Sequence, residues 1–151
     1  MTEPKSVREK TTDGPVLRPR RRGKATAGGG TAPGTGFPAE LTLAATTAYE
    51  KKATGVVTLD LRKVQAFTDY FFVCTGQNAR QVKAIADAIE MALAKDGHKP
   101  AHVEGYDRAN WILLDYFTFI VHVFAPDARE FYDIERLWGS AGRVEMPDPG
   151  A

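Results

Sequence analysis

Cysteine, histidine and carboxylate side chains are the groups through which this sequence could do chemistry. Cys74 stands inside the apolar run 69–75, where a buried thiol is inert packing, because reactive cysteines need accessible, electropositive surroundings. His122 alternates with valines, which indicates a histidine in the core or on a sheet face. His102 and Glu104 could ligate a metal together, but this pair is a weak signal without further ligands. The sequence therefore predicts neither a metal site nor a cofactor.

Three carboxylates, Asp69, Glu104 and Asp115, raise the alternative of a divergent magnesium-dependent nucleotidyltransferase. Such an enzyme needs a Gly-Ser turn for phosphate and two carboxylates that alternate on one strand to hold magnesium. Here Gln77 follows Gly76, and no Asp-x-Asp or Asp-x-Glu pair falls on a predicted strand. The sequence therefore offers no convincing catalytic set and favours a protein that is not an enzyme.

Length and composition exclude several classes of protein. The 151 residues suit one domain. A single cysteine excludes an internal disulfide and fits a reducing cytosol. No uncharged apolar run reaches the roughly 18 residues that span a bilayer, and the polar residues after Met1 show no secretory signal. We expect a cytoplasmic protein, with an organelle of bacterial descent as the second choice.

The near-neutral net charge of +1 hides a division of the chain. Residues 1–36 hold eight basic and three acidic residues, a net of +5, whereas residues 37–151 hold 12 basic and 16 acidic residues, a net of −4. We interpret 1–36 as a disordered basic tail, 37–140 as the folded domain and 141–151 as a flexible C-terminal tail. The arginines at 18–22 suit phosphate contact with RNA. A plain solvated extension is the alternative.

Periodicity in the folded part predicts an α/β domain around a mixed sheet of about five strands, flanked by helices. We expect a first helix over residues 41–53 and an amphipathic helix capped by Asn78 and stopped by Gly97. Predicted strands cover 56–61, 69–75, 102–104, 111–116 and 118–125.

A last helix is predicted from Asp127 to Gly139. Asp127 would cap it, because Glu130 follows at the capping-box spacing. Its apolar stripe would consist of Phe131, Ile134, Leu137 and Trp138.

Six motifs in fixed order carry a resemblance to a known family. The chain resembles the ribosomal silencing factor family, also called Iojap-related, over about residues 40–140. Each motif alone is weak, and their joint occurrence in this order is specific. The motifs are Thr68–Phe71 with Cys74–Gly76, Gln81–Asp87, Glu104–Gly105, Trp111–Tyr116, Val121–Phe124 and Arg129–Trp138.

The resemblance implies a nucleotidyltransferase-like fold without catalytic residues. It also implies that the protein binds the large ribosomal subunit at ribosomal protein L-fourteen, sterically blocks the small subunit and lowers translation when nutrients are scarce. Ribosomal RNA contact by the basic tail and a homodimer away from the ribosome are open alternatives. The residues that we expect at the partner contact are Trp111, Leu113, Asp115, Tyr116, Phe117, Glu104 and Gly105.

Among these residues, Phe117 marks a departure from the family pattern. Many members have glycine or a charged residue at this place, followed by an acid, whereas this chain has Phe117-Thr118. We expect the aromatic ring either to extend the contact surface, to promote self-association or to be buried, so the geometry of this turn stays open.

Overall fold

The computed structural model describes residues 37–64 and 66–149, so the predicted tail 1–36 lies outside the described residues. The helices are α1 (Ala39–Glu50), α2 (Ala79–Lys95), α3 (Pro126–Tyr132) and α4 (Ile134–Leu137). The strands are β1 (Thr54–Asp60), β2 (Tyr70–Thr75), β3 (His102–Glu104), β4 (Trp111–Asp115), β5 (Phe119–Phe124) and β6 (Gly142–Glu145).

The strands form one mixed sheet in the order β3–β4–β5–β2–β1–β6. Strands β2 and β5 pair in parallel at its centre, and the other neighbours pair antiparallel. Every residue of β2, β4 and β5 is buried, as expected for strands covered on both faces. The predicted α/β fold with a mixed sheet is confirmed, with six strands in place of about five. The nucleotidyltransferase-like label stays a prediction.

Helices α1 and α2 cover one face of the sheet. Helix α2 begins as predicted, because the Asn78 side chain accepts a hydrogen bond from the Gln81 amide at 2.9 Å, and it stops before Gly97, whose φ is +86°. Its stripe of Val82, Ile85 and Ile89 is fully buried against the sheet. This layer also holds the Cys74 thiol, whose pKa burial raises to about 12, so the predicted inert packing agrees with its position.

The opposite face carries a second core beneath α3, α4 and the segment before β2. Phe71, Trp111 and Phe124 are buried here, and Tyr132 packs on Trp111 with ring centroids 4.6 Å apart. Trp138 packs at the other end of this layer, where its ring contacts Phe71 edge-on with ring centroids 5.8 Å apart. Each face of the sheet therefore packs against its own apolar layer.

The prediction of one last helix capped by Asp127 is wrong. Helix α3 begins at Pro126, and Asp133 adopts a left-handed conformation (φ 47°, ψ 50°) that separates α3 from α4. Because the chain turns at this residue, the predicted apolar stripe is divided. Ile134 is buried, whereas Phe131 and Leu137 are 79% and 73% exposed.

The prediction of a flexible tail over residues 141–151 is wrong for residues 142–146. Strand β6 pairs with β1, and the Met146 side chain is buried beside α1. The Tyr49 hydroxyl donates a hydrogen bond to the Met146 carbonyl at 2.6 Å. The side chains of β6 itself are exposed, so backbone pairing rather than side-chain burial defines this strand.

Candidate partner-docking site

The turn between β4 and β5 presents an aromatic ring to solvent in a fixed position. Phe117 is 48% exposed and has a φ of +79°, a conformation that costs a non-glycine residue about 1–2 kcal/mol. Its amide donates to the Asp115 carboxylate, and its carbonyl accepts from the Thr68 hydroxyl, each at 2.8 Å. Two hydrogen bonds therefore fix the backbone of Phe117 in this conformation, and the role of Thr68 was not identified from the sequence.

Three of the predicted contact residues lie inside the domain. Trp111, Leu113 and Asp115 are 4%, 3% and 8% exposed. Trp111 and Leu113 belong to the second core, and Asp115 shapes the turn through its bond to Phe117. The structure therefore gives these residues positioning roles, and direct partner contact by their side chains stays a prediction.

Tyr116 and the Glu104–Gly105 pair are partly accessible. The Tyr116 ring stacks on Phe119 with centroids 4.9 Å apart, and burial of its hydroxyl raises the pKa of Tyr116. Glu104 is half-buried and is hydrogen-bonded to His102 on strand β3. Gly105 follows with φ +80°, a conformation that favours glycine.

The sheet register brings several of these residues to one edge. His102 lies opposite Asp115, and Glu104 lies opposite Leu113, so these side chains share a face at the β3–β4 edge. Asp69 precedes β2 and is separated from β4 by strand β5. Within the described ranges, no group of three or more His, Cys, Asp and Glu residues could hold a metal ion.

The buried His122 of strand β5 contacts Trp111 of the neighbouring strand β4. The Trp111 indole donates a hydrogen bond to Nδ1 of His122 at 3.0 Å, so the ring proton of the neutral histidine lies on Nε2. Burial lowers the pKa of His122 to about 3. His122 is therefore neutral at physiological pH, as an acceptor for Trp111 must be, and the prediction of a core histidine agrees with this position.

Arg129 ties the α3–α4 unit to the sheet. Its guanidinium donates two hydrogen bonds to Glu135, at 2.8 and 2.9 Å, and one each to the Gly55 carbonyl and the Thr75 hydroxyl. These contacts lower the pKa of Glu135 to about 2, with Arg143 of β6 as a further partner. Arg129 therefore pairs with an acid of the α3–α4 unit and also contacts two strands of the sheet.

The break between α3 and α4 at Asp133 creates a further exposed surface, on the face of the sheet that carries the second core. We call it the elbow surface. It surrounds a shallow cleft of about 550 Å³ and consists of Glu130, Phe131, Tyr132, Asp133, Arg136 and Leu137. Helical periodicity concealed this surface from sequence reasoning, because it placed Phe131 and Leu137 in the core.

Comparison with known proteins shows the family. Residues 35–151 match the family described as "Ribosomal silencing factor during starvation". The chain belongs to the ribosomal silencing factor family. The part of the chain that the structure describes contains no helix with the length and hydropathy needed to cross a membrane.

Individual relatives agree with this membership. The chain is 38% identical over 106 residues to the ribosomal silencing factor RsfS of Halalkalibacterium halodurans, which spans 70% of this chain and 91% of that protein. It is 34% identical over 101 residues to the chloroplastic protein Iojap of Zea mays, with 66% of this chain and 43% of that protein covered.

Solved structures share the fold of this family member. A crystal structure of a Chromobacterium violaceum protein aligns with a TM-score of 0.65 and 32% identity, over 75% of this chain and 97% of that one. A crystal structure of a Bacillus halodurans protein aligns with a TM-score of 0.62 and 36% identity, over 70% of this chain and 96% of that one.

Proposed function

We propose that this chain is a ribosomal silencing factor that binds the large ribosomal subunit at ribosomal protein L-fourteen. It blocks association with the small subunit sterically and so represses translation under nutrient limitation. The observation that carries this proposal is the family match over residues 35–151, joined by relatives that are named ribosomal silencing factors. The bacterial cytoplasm is the proposed location.

The exposed ring of Phe117 supports a docking surface at the β4–β5 turn. Aromatic side chains are favoured interface anchors because they bury a large area at a small entropic cost. Tyr116 and the Glu104–Gly105 pair border this surface, and Asp115 keeps its geometry. The net charge of −4 over residues 37–151 is complementary to a basic ribosomal protein.

Co-sedimentation with separated ribosomal subunits tests this proposal. The wild-type protein should sediment with the large subunit only, and Phe117→Asp should weaken binding by at least tenfold. Val144→Asp is the matched control, because Val144 is 40% exposed on the opposite edge of the sheet and should leave binding unchanged. Absence of wild-type binding would refute the function, whereas full binding by Phe117→Asp would move the contact elsewhere.

Purified L-fourteen resolves the identity of the partner. If the chain binds the intact large subunit but not isolated L-fourteen, it is a ribosome-binding factor whose contact lies on another part of the subunit. The alternative of a divergent nucleotidyltransferase requires magnesium-dependent nucleotide binding, which calorimetry measures directly. We expect none, because the described residues do not group the carboxylates that magnesium needs.

A further inference from the structure

The elbow surface is apolar at its centre and acidic at its rim. Phe131 and Leu137 are large side chains that solvent contacts over most of their area. Such residues mark binding surfaces when they cluster around a concave site, and these two flank the same cleft.

The charges around the cleft favour a cationic occupant. Glu130 and Asp133 line it, and Asp127 lies one helical turn before Phe131 on α3. Within the described ranges these three carboxylates form no ion pair, and Arg136 is the one basic residue that lines the cleft. Arg129 does not offset them, since its guanidinium is bound to Glu135.

We propose that the segment Val16–Arg22 of this same chain binds the elbow surface. Val16 and Leu17 are the one pair of adjacent large aliphatic residues within 1–36, and four arginines follow within the next five positions. The aliphatic pair fills the cleft between Phe131 and Leu137, and the arginines contact the acidic rim.

The start of the described chain lies within reach of the elbow. Phe37 contacts Tyr70 edge-on at 5.4 Å, and Phe71, the next residue of β2, contacts Trp138 from the opposite face. Leu137 precedes Trp138, so the two points are separated by one sheet thickness, and a connection between them has to pass around an edge of the sheet. Fourteen residues, 23–36, connect the segment to Phe37 and can span about 46 Å. That reach exceeds what is needed on a domain whose radius of gyration is about 13 Å.

The covalent connection makes modest affinity sufficient. Binding of a tethered segment is intramolecular and benefits from an effective concentration in the millimolar range.

Paramagnetic broadening in the full chain tests this contact. A nitroxide is attached at Pro19→Cys, which keeps every arginine, and the amide signals of residues 130–137 are observed. Cys74 is fully buried and takes no label. We expect the elbow signals to be lost in the labelled chain. Most of their intensity should return when the same labelled chain also carries Leu17→Asp. The double change Phe131→Ser and Leu137→Ser should restore them likewise. These elbow changes lie at exposed positions and leave the fold intact.

Two controls identify the occupant. A label at Met91→Cys, which is 63% exposed on α2 across the sheet, should spare the elbow signals. Mixing labelled chains with isotopically marked unlabelled chains should leave the marked chains unbroadened. Broadening in that mixture would overturn the proposal in favour of a second copy. Unbroadened elbow signals, or broadening that both sets of variants leave unchanged, would refute it outright.

Discussion

Phe117 combines a strained backbone with an exposed ring, which is an unusual combination at a turn. The hydrogen bonds from Thr68 and to Asp115 keep this conformation in place. A glycine would adopt the same φ without strain. The aromatic side chain therefore costs stability in the free protein, which fits a residue retained for contact with a partner.

Replacement of Phe117 separates these two effects. We expect Phe117→Gly to be more stable than Phe117→Ala by about 1 kcal/mol, because both lose the ring and only glycine relieves the positive φ. Urea unfolding of the two variants measures the difference. An alanine variant as stable as the glycine variant would show that the turn carries no strain.

His122 should make stability decrease as the pH is lowered. Its pKa is about 3 in the folded protein, below the ordinary value of 6.5, so the unfolded chain binds a proton first as the pH decreases. Stability should therefore be complete above pH 6.5 and should fall by about 2 kcal/mol between pH 7 and pH 5.

Denaturant unfolding at several pH values measures this dependence. His122→Asn is the control, because its amide oxygen can accept from the Trp111 indole and it does not titrate in this range. The variant should lose most of the slope between pH 7 and pH 5. An unchanged slope would assign the pH dependence to other groups.

At the scale of elements, the Arg129–Glu135 pair holds α3 and α4 against β1 and β2. The Glu135 side chain is 17% exposed, and the pair joins residues on either side of the turn at Asp133. An added Cβ at Gly55 would lie 2.6 Å from the Arg129 guanidinium, so a larger residue there would displace the guanidinium from its hydrogen bonds. Arg129 therefore adds polar contacts to the apolar packing by which Tyr132 and Trp138 hold the elbow against the sheet.

Loss of either partner should destabilise the domain. We expect Arg129→Gln or Glu135→Gln to lower the free energy of unfolding by about 2–4 kcal/mol, because the remaining group is left partly buried and unpaired. Arg62→Gln is the control, since its pair with Asp60 is more exposed and should contribute under about 1 kcal/mol. Equal effects in a urea titration would contradict this ranking.

The Arg129–Glu135 pair should contribute to stability only over a defined pH range. The pKa of Glu135 is about 2, below its ordinary value of 4.5, so its contribution to stability is complete above about pH 4.5 and is lost as the pH falls toward 2. Glu135→Gln should therefore lose part of the acid dependence of unfolding, measured between pH 5 and pH 2. An acid limb identical to that of the wild type would contradict the assignment.

Local sequence signals predicted some elements well and others poorly. Helix α2 follows from its spacing and its cap at Asn78 because both are local features. The turn at Asp133 and strand β6 depend on distant partners, Arg129 with the sheet and β1 with its backbone groups. The periodic apolar pattern continues across the break at Asp133, and β6 has no such pattern, so sequence alone gave a continuous helix and a tail.

At the scale of the whole molecule, the fold class was predictable because three strands consist mostly of apolar residues. The partner contact itself stays a prediction. Trp111 and Leu113 have the composition of interface anchors, yet the sheet buries them and leaves Phe117 outside. Exposure depends on which elements cover each face, and no local pattern encodes that.

The position of β6 also has a consequence for the newly made chain. Strand β6 completes the sheet by pairing with β1, and Gly142 lies 82 residues after its partner Asp60. During synthesis the outer edge of β1 thus lacks its neighbour for roughly 4–16 s, at about 5–20 residues per second. An open strand edge invites pairing with other chains. Slower elongation prolongs this interval, so the nascent protein is most exposed to aggregation when translation itself is slow.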